Sequence, residues 1–218
     1  MWAIVVAGGS GRRFGGLKQF LHLSGRPVAA WSIEACRSVA AGVVLVVPEA
    51  ARRSTADGSP DEMGADRTVT GGATRADSVR AGLAAVPEEA DIIVVHDAAR
   101  PLATADLFAA VLDAVRVPGV DGAIPVLAVS DTLKRAVDGA IVATVEREGL
   151  VAVQTPQAFK AEALRSAHRS GGEATDDAGL LERLGSLVVV VPGEPRNLKI
   201  TNPDDLAMAD ALIQMANR

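Results

Sequence analysis

Residues 4–19 read IVVAGGSGRRFGGLKQ, and the fold class turns on that stretch. Ile4, Val5 and Val6 form a short apolar run of the kind that makes a buried strand. Gly8, Gly9, Gly11, Gly15 and Gly16 follow, interleaved with Arg12, Arg13 and Lys18. Glycine lets the backbone turn sharply and bring its N–H groups close to a ligand. Runs of such N–H groups cradle phosphate, and Arg and Lys neutralise it. No acidic residue precedes Glu34, although the chain as a whole carries a net charge of -5. That local surplus of cations predicts a polyphosphate site. The competing reading is a Gly-rich surface loop with no ligand.

Two familiar phosphate loops are excluded. The Walker pattern needs lysine and a hydroxyl residue directly after its second glycine. Gly11 and Gly16 have the spacing, but Leu17 intervenes before Lys18 and Gln19 follows it. The dinucleotide pattern needs glycine or alanine where Phe14 stands after Gly9 and Gly11.

Further along, Val43 to Val47 and Ile92 to Val95 are continuous apolar runs, the mark of strands buried on both faces of a parallel sheet. Thr68–Thr70, Ala123–Val126, Val151–Val153 and Leu187–Val191 add strands, and helices are predicted over 28–40, 75–86, 104–115, 160–169, 176–184 and 203–217. Thr104 and Thr175 stand as N-caps, the latter ahead of Asp176 and Asp177. Asp138-Gly139 is a type I′ hairpin signal between LKRAV and AIVATV. Alternation of strand and helix predicts an α/β fold, a mostly parallel sheet flanked by helices, with a hairpin arm at about 131–150. A lone two-stranded ribbon is marginal in water. The half-apolar arm therefore seeks a surface, either a second copy of the chain or its own domain. Ligands in such sheets sit beyond the carboxyl ends of the strands, which brings loops 7–18, 71–78 and 97–100 to one rim.

At 218 residues one domain, 1–218, is expected. The acidic balance argues against a nucleic-acid binder, and no apolar run is long enough for a membrane span. The single cysteine, Cys36, reads as a small core residue, and the N-terminal segment lacks a secretory pattern, so a cytoplasmic protein is expected.

His96-Asp97-Ala98-Ala99-Arg100-Pro101 is the second cluster with chemistry in it. A carboxylate at a strand end facing a basic loop suits Mg2+ or substrate hydroxyls, and equally an N-cap or a salt bridge. Arg100 suits an anionic group, and His96 suits a hydrogen-bonded place at the rim. No G-x-S-x-G elbow and no zinc spacing occurs. What remains is phosphate chemistry by positioning and charge.

The segments AGGSGRRFGGLKQF, GGATRADSV, VVHDAARP, DTLKRA, TVEREGL, QTPQ, TDDA and NLKIT occur in that order. Together they resemble the 2-C-methyl-D-erythritol 4-phosphate cytidylyltransferase family over nearly the whole chain. The resemblance implies a Rossmann-like nucleotidyltransferase fold, CTP and a polyol phosphate as substrates, Mg2+ held mainly with the CTP phosphates, and a homodimer with exchanged hairpin arms. It implies that Arg13 and Lys18 stabilise the α-phosphate, with Lys199 also catalytic. Ala7, Gly8, Gly9, Ser10, Gly11, Gly72, Arg75 and Ser78 match the nucleotide cradle. Asp97, Arg100, Thr132, Thr155 and Lys199 match positions around the methylerythritol phosphate, with Asp97 also a candidate metal ligand. Arg147 matches the residue supplied by the partner's arm. Two departures stand out: the loop between Arg13 and Lys18 is short, and Ala73 occupies a position often acidic in the family, next to the cytidine. Ribitol 5-phosphate cytidylyltransferases share the loop and the HD-x-x-RP motif. A catalytically silent nucleotide-binding regulator is the reading from a different class.

Overall fold

The computed structural model describes residues 1–8, 20–52, 63–171 and 174–216. The strands and helices alternate as follows. β1 (Trp2–Val6) leads through a small ribbon of β2 (His22–Leu23) and β3 (Arg26–Pro27) into α1 (Val28–Arg37). Next come β4 (Val43–Val47), α2 (Glu49–Arg52), β5 (Arg67–Thr70), α3 (Arg75–Ala85), β6 (Ile92–Asp97) and α4 (Ala105–Arg116). β7 (Gly122–Ala128) precedes the arm, β8 (Leu133–Val137) and β9 (Ala140–Val145). β10 (Val151–Val153), β11 (Gln157–Lys160), α5 (Ala161–Arg169), α6 (Ala178–Glu182), β12 (Val188–Pro192) and α7 (Pro203–Ala216) complete the chain.

β5, β4, β1 and β6 lie side by side in parallel. β11 then inserts antiparallel between β6 and β7, and β12 pairs parallel with β7. β10 precedes β11 antiparallel to β7, pairing Val153 with Val126. The sheet is thus mostly parallel, as the alternation predicts. The antiparallel β11 has no counterpart among the expected strands, because Gln157–Lys160 (QAFK) is too short and mixed to carry a strand period.

All five residues of β4 are fully buried, which is why that run shows no polar alternation. Val5, Leu45 and Val94 face α1 and α4, meeting Ile33, Cys36, Phe108 and Val111. Ile4, Val46, Ile93 and Val95 face the other way, onto Val79 of α3, Leu164 of α5 and Leu181 of α6. Burying each of the larger side chains contributes about 1.5–3 kcal/mol before chain entropy is set against it. Cys36 is buried and free, as expected of a core residue.

Differences at element ends have local causes. α1 stops at Arg37 rather than residue 40. Thr104 caps α4 through Leu107 N–H at 3.2 Å. Thr175 does not cap α6: Asp177 is at the cap position without a side-chain cap bond, and Asp176 Oδ1 instead accepts Gly179 N–H at 3.1 Å. In the arm, Asp138 and Gly139 have φ of 50° and 81°, the left-handed pair a type I′ turn requires. Its apolar side chains stay open, Ile141 63% and Val142 55% exposed, so the arm does not fold onto its own domain.

Candidate active site

β1, β4, β5 and β6 all end at one rim, and the chain there is shaped by small residues. An added Cβ on Gly8 would meet Ser78 Oγ at 2.9 Å, and one on Gly71 would meet it at 2.6 Å. The turns after β1 and β5 therefore close on the first turn of α3, where Ser78 is 2% exposed and bonds Thr74 O at 3.0 Å. That turn is fixed by a capping box: Thr74 Oγ1 accepts Asp77 N–H at 3.0 Å, and Asp77 Oδ2 accepts Thr74 N–H at 3.0 Å. Ala7, Gly8, Gly72, Arg75 and Ser78 of the expected nucleotide cradle are described. Gly9, Ser10, Gly11, Arg13 and Lys18 lie outside the described residues.

β6 ends on His96 and Asp97, side by side with opposite chemistry. His96 is fully buried, and burial pushes its pKa down from 6.5 to about 4. Its Nε2 sits 3.1 Å from Arg100 O, an acceptor, so Nε2 carries the proton. Nδ1 then accepts from Thr155 Oγ1 at 3.1 Å, while the same hydroxyl accepts Asp97 N–H at 3.0 Å. His96 is a neutral strut that ties Thr155 to the strand end.

Asp97 is 8% exposed. Burial alone would raise its pKa, yet Lys199 and Arg75 outweigh it and hold the carboxyl at about 2. Lys199 Nζ lies 2.6 Å from Oδ2, and Arg75 Nε lies 3.8 Å from Oδ1. Arg75 also places Nη1 2.8 Å from Asp177 Oδ2, and the other oxygen of Asp177 meets His168 Nε2 at 2.9 Å. Arg100 spends its guanidinium on backbone, 2.7 Å to Asn197 O and 3.4 Å to Val153 O, and its buried Nε has no partner among the described residues.

The loop that delivers Lys199 is anchored from both sides. Gln154 donates to Glu194 O at 2.9 Å and accepts Glu194 N–H at 3.0 Å. Asn197 Nδ2 donates to Thr155 O at 2.9 Å, and Ile200 N–H to Ala99 O at 2.8 Å. Asp97, Arg75, Arg100, Thr155 and Lys199, spread over more than half the chain in sequence, thus share one network. Thr132 and Arg147 take no part in it. Thr132 is exposed at the root of the arm, and Arg147, also exposed, bonds Ser130 O. Sequence reasoning missed His168, Asp177, Gln154 and Asn197 as site residues. The motifs TDDA, QTPQ and NLKIT were the available signal for Asp177, Gln154 and Asn197, but an acid beside a helix start reads as a cap, and His168 lies in no such motif. Among its described residues the rim keeps the hydroxyls of Ser78 and Thr155 buried and hydrogen-bonded. It offers fixed cations around one ionised carboxylate, a setting for an anionic ligand that also carries hydroxyls.

The sequence matches the family model described as "IspD: 2-C-methyl-D-erythritol 4-phosphate cytidylyltransferase" over residues 1–215. It is 46% identical over 218 residues to the 2-C-methyl-D-erythritol 4-phosphate cytidylyltransferase of Rhodococcus jostii, covering 97% of this chain and 94% of that protein. The bifunctional enzyme IspD/IspF of Nitratidesulfovibrio vulgaris is 45% identical over 228 residues, across 96% of this chain and 57% of the relative. The chain thus spans little more than half the length of such bifunctional relatives. Among solved structures, the 2-C-methyl-D-erythritol 4-phosphate cytidylyltransferase of Thermus thermophilus aligns with a TM-score of 0.80 at 37% identity, over 97% of this chain and 98% of that one.

Proposed function

The chain belongs to the 2-C-methyl-D-erythritol 4-phosphate cytidylyltransferase family, and from that premise we propose that it condenses CTP with 2-C-methyl-D-erythritol 4-phosphate. The products are the CDP-linked polyol and pyrophosphate, a step in non-mevalonate isoprenoid precursor synthesis. An oxygen of the polyol's phosphate attacks the α-phosphorus of CTP. A P–O–P linkage forms as the bond to pyrophosphate breaks, and the electron pair leaves with pyrophosphate. A phosphate monoester is largely ionised at neutral pH, with a second pKa of about 6, so no general base is required. The protein's work is alignment and charge stabilisation.

In this reading Arg13, Lys18 and the backbone from Ala7 to Gly11 hold the triphosphate. Gly72 and Ser78 shape the wall beside it. Lys199, Arg100 and Thr155 receive the polyol phosphate, and Asp97 accepts its hydroxyls. Thr132 and Arg147 enter from the arm of a second copy. The observation that carries the reading is the Lys199–Asp97 contact of 2.6 Å. It sets a half-exposed cation from near the end of the chain on an ionised carboxylate, at the rim where β1 runs out into Ala7 and Gly8.

Mg2+ belongs to the proposal as a companion of the nucleotide. Lys199 is already paired with Asp97 Oδ2 and the Arg75 guanidinium lies close by, which makes Asp97 a poor direct ligand, and no cluster of three or more His, Cys, Asp or Glu residues occurs among the described residues. Mg2+ is commonly held by substrate phosphates with few protein ligands, and there it neutralises triphosphate charge. A homodimer through the arm and a cytoplasmic location complete the proposal. The open apolar arm supports the first, and the buried free Cys36 is in keeping with the second. No helix among the described residues is long and apolar enough to cross a membrane.

The test is a panel of nucleoside triphosphates against methylerythritol 4-phosphate and ribitol 5-phosphate, read as pyrophosphate release. Release with CTP and methylerythritol 4-phosphate is expected. Preference for ribitol 5-phosphate would move the chain to that activity, and CTP binding without release would make it a silent regulator.

A further inference from the structure

Asp177 is 1% exposed, yet the proposed reaction gives it no task. It stands at the start of α6, which bears no nucleotide or polyol residue. One of its oxygens is held by His168 Nε2 at 2.9 Å, and the other faces Arg75 Nη1 at 2.8 Å. Removing a carboxylate from water costs several kcal/mol, and buried ion pairs are often replaceable by apolar groups without loss of stability. A geometric role accounts better for this pair than a stabilising one.

The geometry of Arg75 shows what that role is. Its guanidinium lies between two carboxylates, but unequally. The Nη1 end makes a close contact with Asp177, whereas Nε stops 3.8 Å short of Asp97 Oδ1, beyond hydrogen-bond reach. Lys199 occupies Oδ2 alone. Oδ1 accepts no hydrogen bond from the described residues, while the nearby positive charge keeps the group ionised. Without Asp177, Asp97 is the carboxylate left within 4 Å of the guanidinium among the described residues, and a bidentate Arg–carboxylate contact is the strongest arrangement open to it.

We propose that Asp177 is a positioning residue for the polyol substrate: steadied by His168, it draws Arg75 back from Asp97 and so keeps Asp97 Oδ1 open to accept a substrate hydroxyl. This rests on the cytidylyltransferase reading, and it places Arg75 between Asp97 and Asp177 rather than on the nucleotide.

The test is Asp177→Asn, which keeps the shape and removes the charge, set in a double-mutant cycle with Arg75→Gln. Asp177→Asn should raise KM for methylerythritol 4-phosphate roughly tenfold, the scale of one charged hydrogen bond. KM for CTP should change little. In the Arg75→Gln background the substitution should have no further effect on the polyol KM, because the residue it acts through is gone. Equal losses for both substrates, or an undiminished loss in the Arg75→Gln background, would overturn the proposal. If Asp177→Asn does not fold, His168→Leu takes its place by removing the hydrogen bond that steadies Asp177: a selective rise in polyol KM supports the proposal, and an unchanged polyol KM or an equal rise for CTP overturns it. Absence of activity in the wild-type protein would refute the cytidylyltransferase reading instead. A crystal structure of Asp177→Asn then still decides the positioning claim, with Arg75 moved onto Asp97 Oδ1 expected and Arg75 unmoved as the contrary result.

Discussion

His96 and Asp97 are successive residues of β6, both buried, and electrostatics treats them in opposite ways. The imidazole has no carboxylate bonded to it and stays neutral, with burial holding its pKa at about 4. The carboxyl is more than compensated by Lys199 and Arg75 and stays ionised down to about pH 2. In the unfolded chain the histidine titrates near 6.5. Between about 6.5 and 4 the unfolded state therefore binds a proton that the folded state refuses, so stability falls as the pH drops through that window. Asp97 contributes above its unfolded pKa of about 3.9, and its share is lost only below that, as the pH falls towards 2. The two windows scarcely overlap. His96→Gln should thus shrink the stability lost between pH 7 and 5 by about 2 kcal/mol, measured by denaturant unfolding. A variant that keeps the full pH slope would contradict the neutral-strut assignment. From sequence, His96 could be read as a hydrogen-bonded rim residue, since it sits at a strand end with an acid beside it. Asp177 could not, because a buried acid that pairs across the fold and an exposed acid that caps a helix look alike in one dimension.

At the scale of elements, the clearest dependence is that of α3 on the turn before it. An added Cβ on Gly72 would sit 2.2 Å from Asp77 Cβ, inside the capping box that starts the helix. Asp77 would have to move, releasing Thr74 N–H and with it the first turn that carries Arg75 and Ser78. Gly72→Ala should cost about 1–2 kcal/mol, the scale of a lost cap. Urea or guanidinium unfolding would check this, and unchanged stability would show that the turn yields without harm. Strong periodicity made such elements legible: the all-apolar β4, the apolar run that opens β6, the amphipathic α4 and the Asp138-Gly139 turn were each visible in sequence. β11 was not, because four mixed residues carry no period and its place between β6 and β7 is set by tertiary pairing. The shift of the α6 cap from Thr175 to an Asp176 contact has the same origin. Asp176 is drawn in by Gln157 of β11, 3.0 Å from its other oxygen.

For the molecule as a whole, the sheet gathers distant residues at one rim, and the arm is a separate two-stranded ribbon. Val137, Ile141 and Val142 are each more than half exposed on the arm. Such an apolar ribbon is stabilised by a partner surface, and the proposed dimer supplies one. Ile141→Asp with Val142→Asp should leave a folded monomer with little activity, read by light scattering and pyrophosphate release; a dimer that persists would place the interface elsewhere. If the arm crosses, mixing Arg147→Ala chains with Lys18→Ala chains restores one intact site per heterodimer. No rescue despite proven heterodimers would count against a shared site. The account's central claim is that the turn after β1 wraps a nucleotide tail across the rim from Asp97 and Lys199. A crystal structure with a non-hydrolysable CTP analogue and Mg2+ tests it most directly. The triphosphate should lie along Gly8 to Gly11 with Lys18 on its phosphates and Ser78 in the adjoining wall. A triphosphate bound elsewhere, or Lys18 directed away from it, would contradict the account.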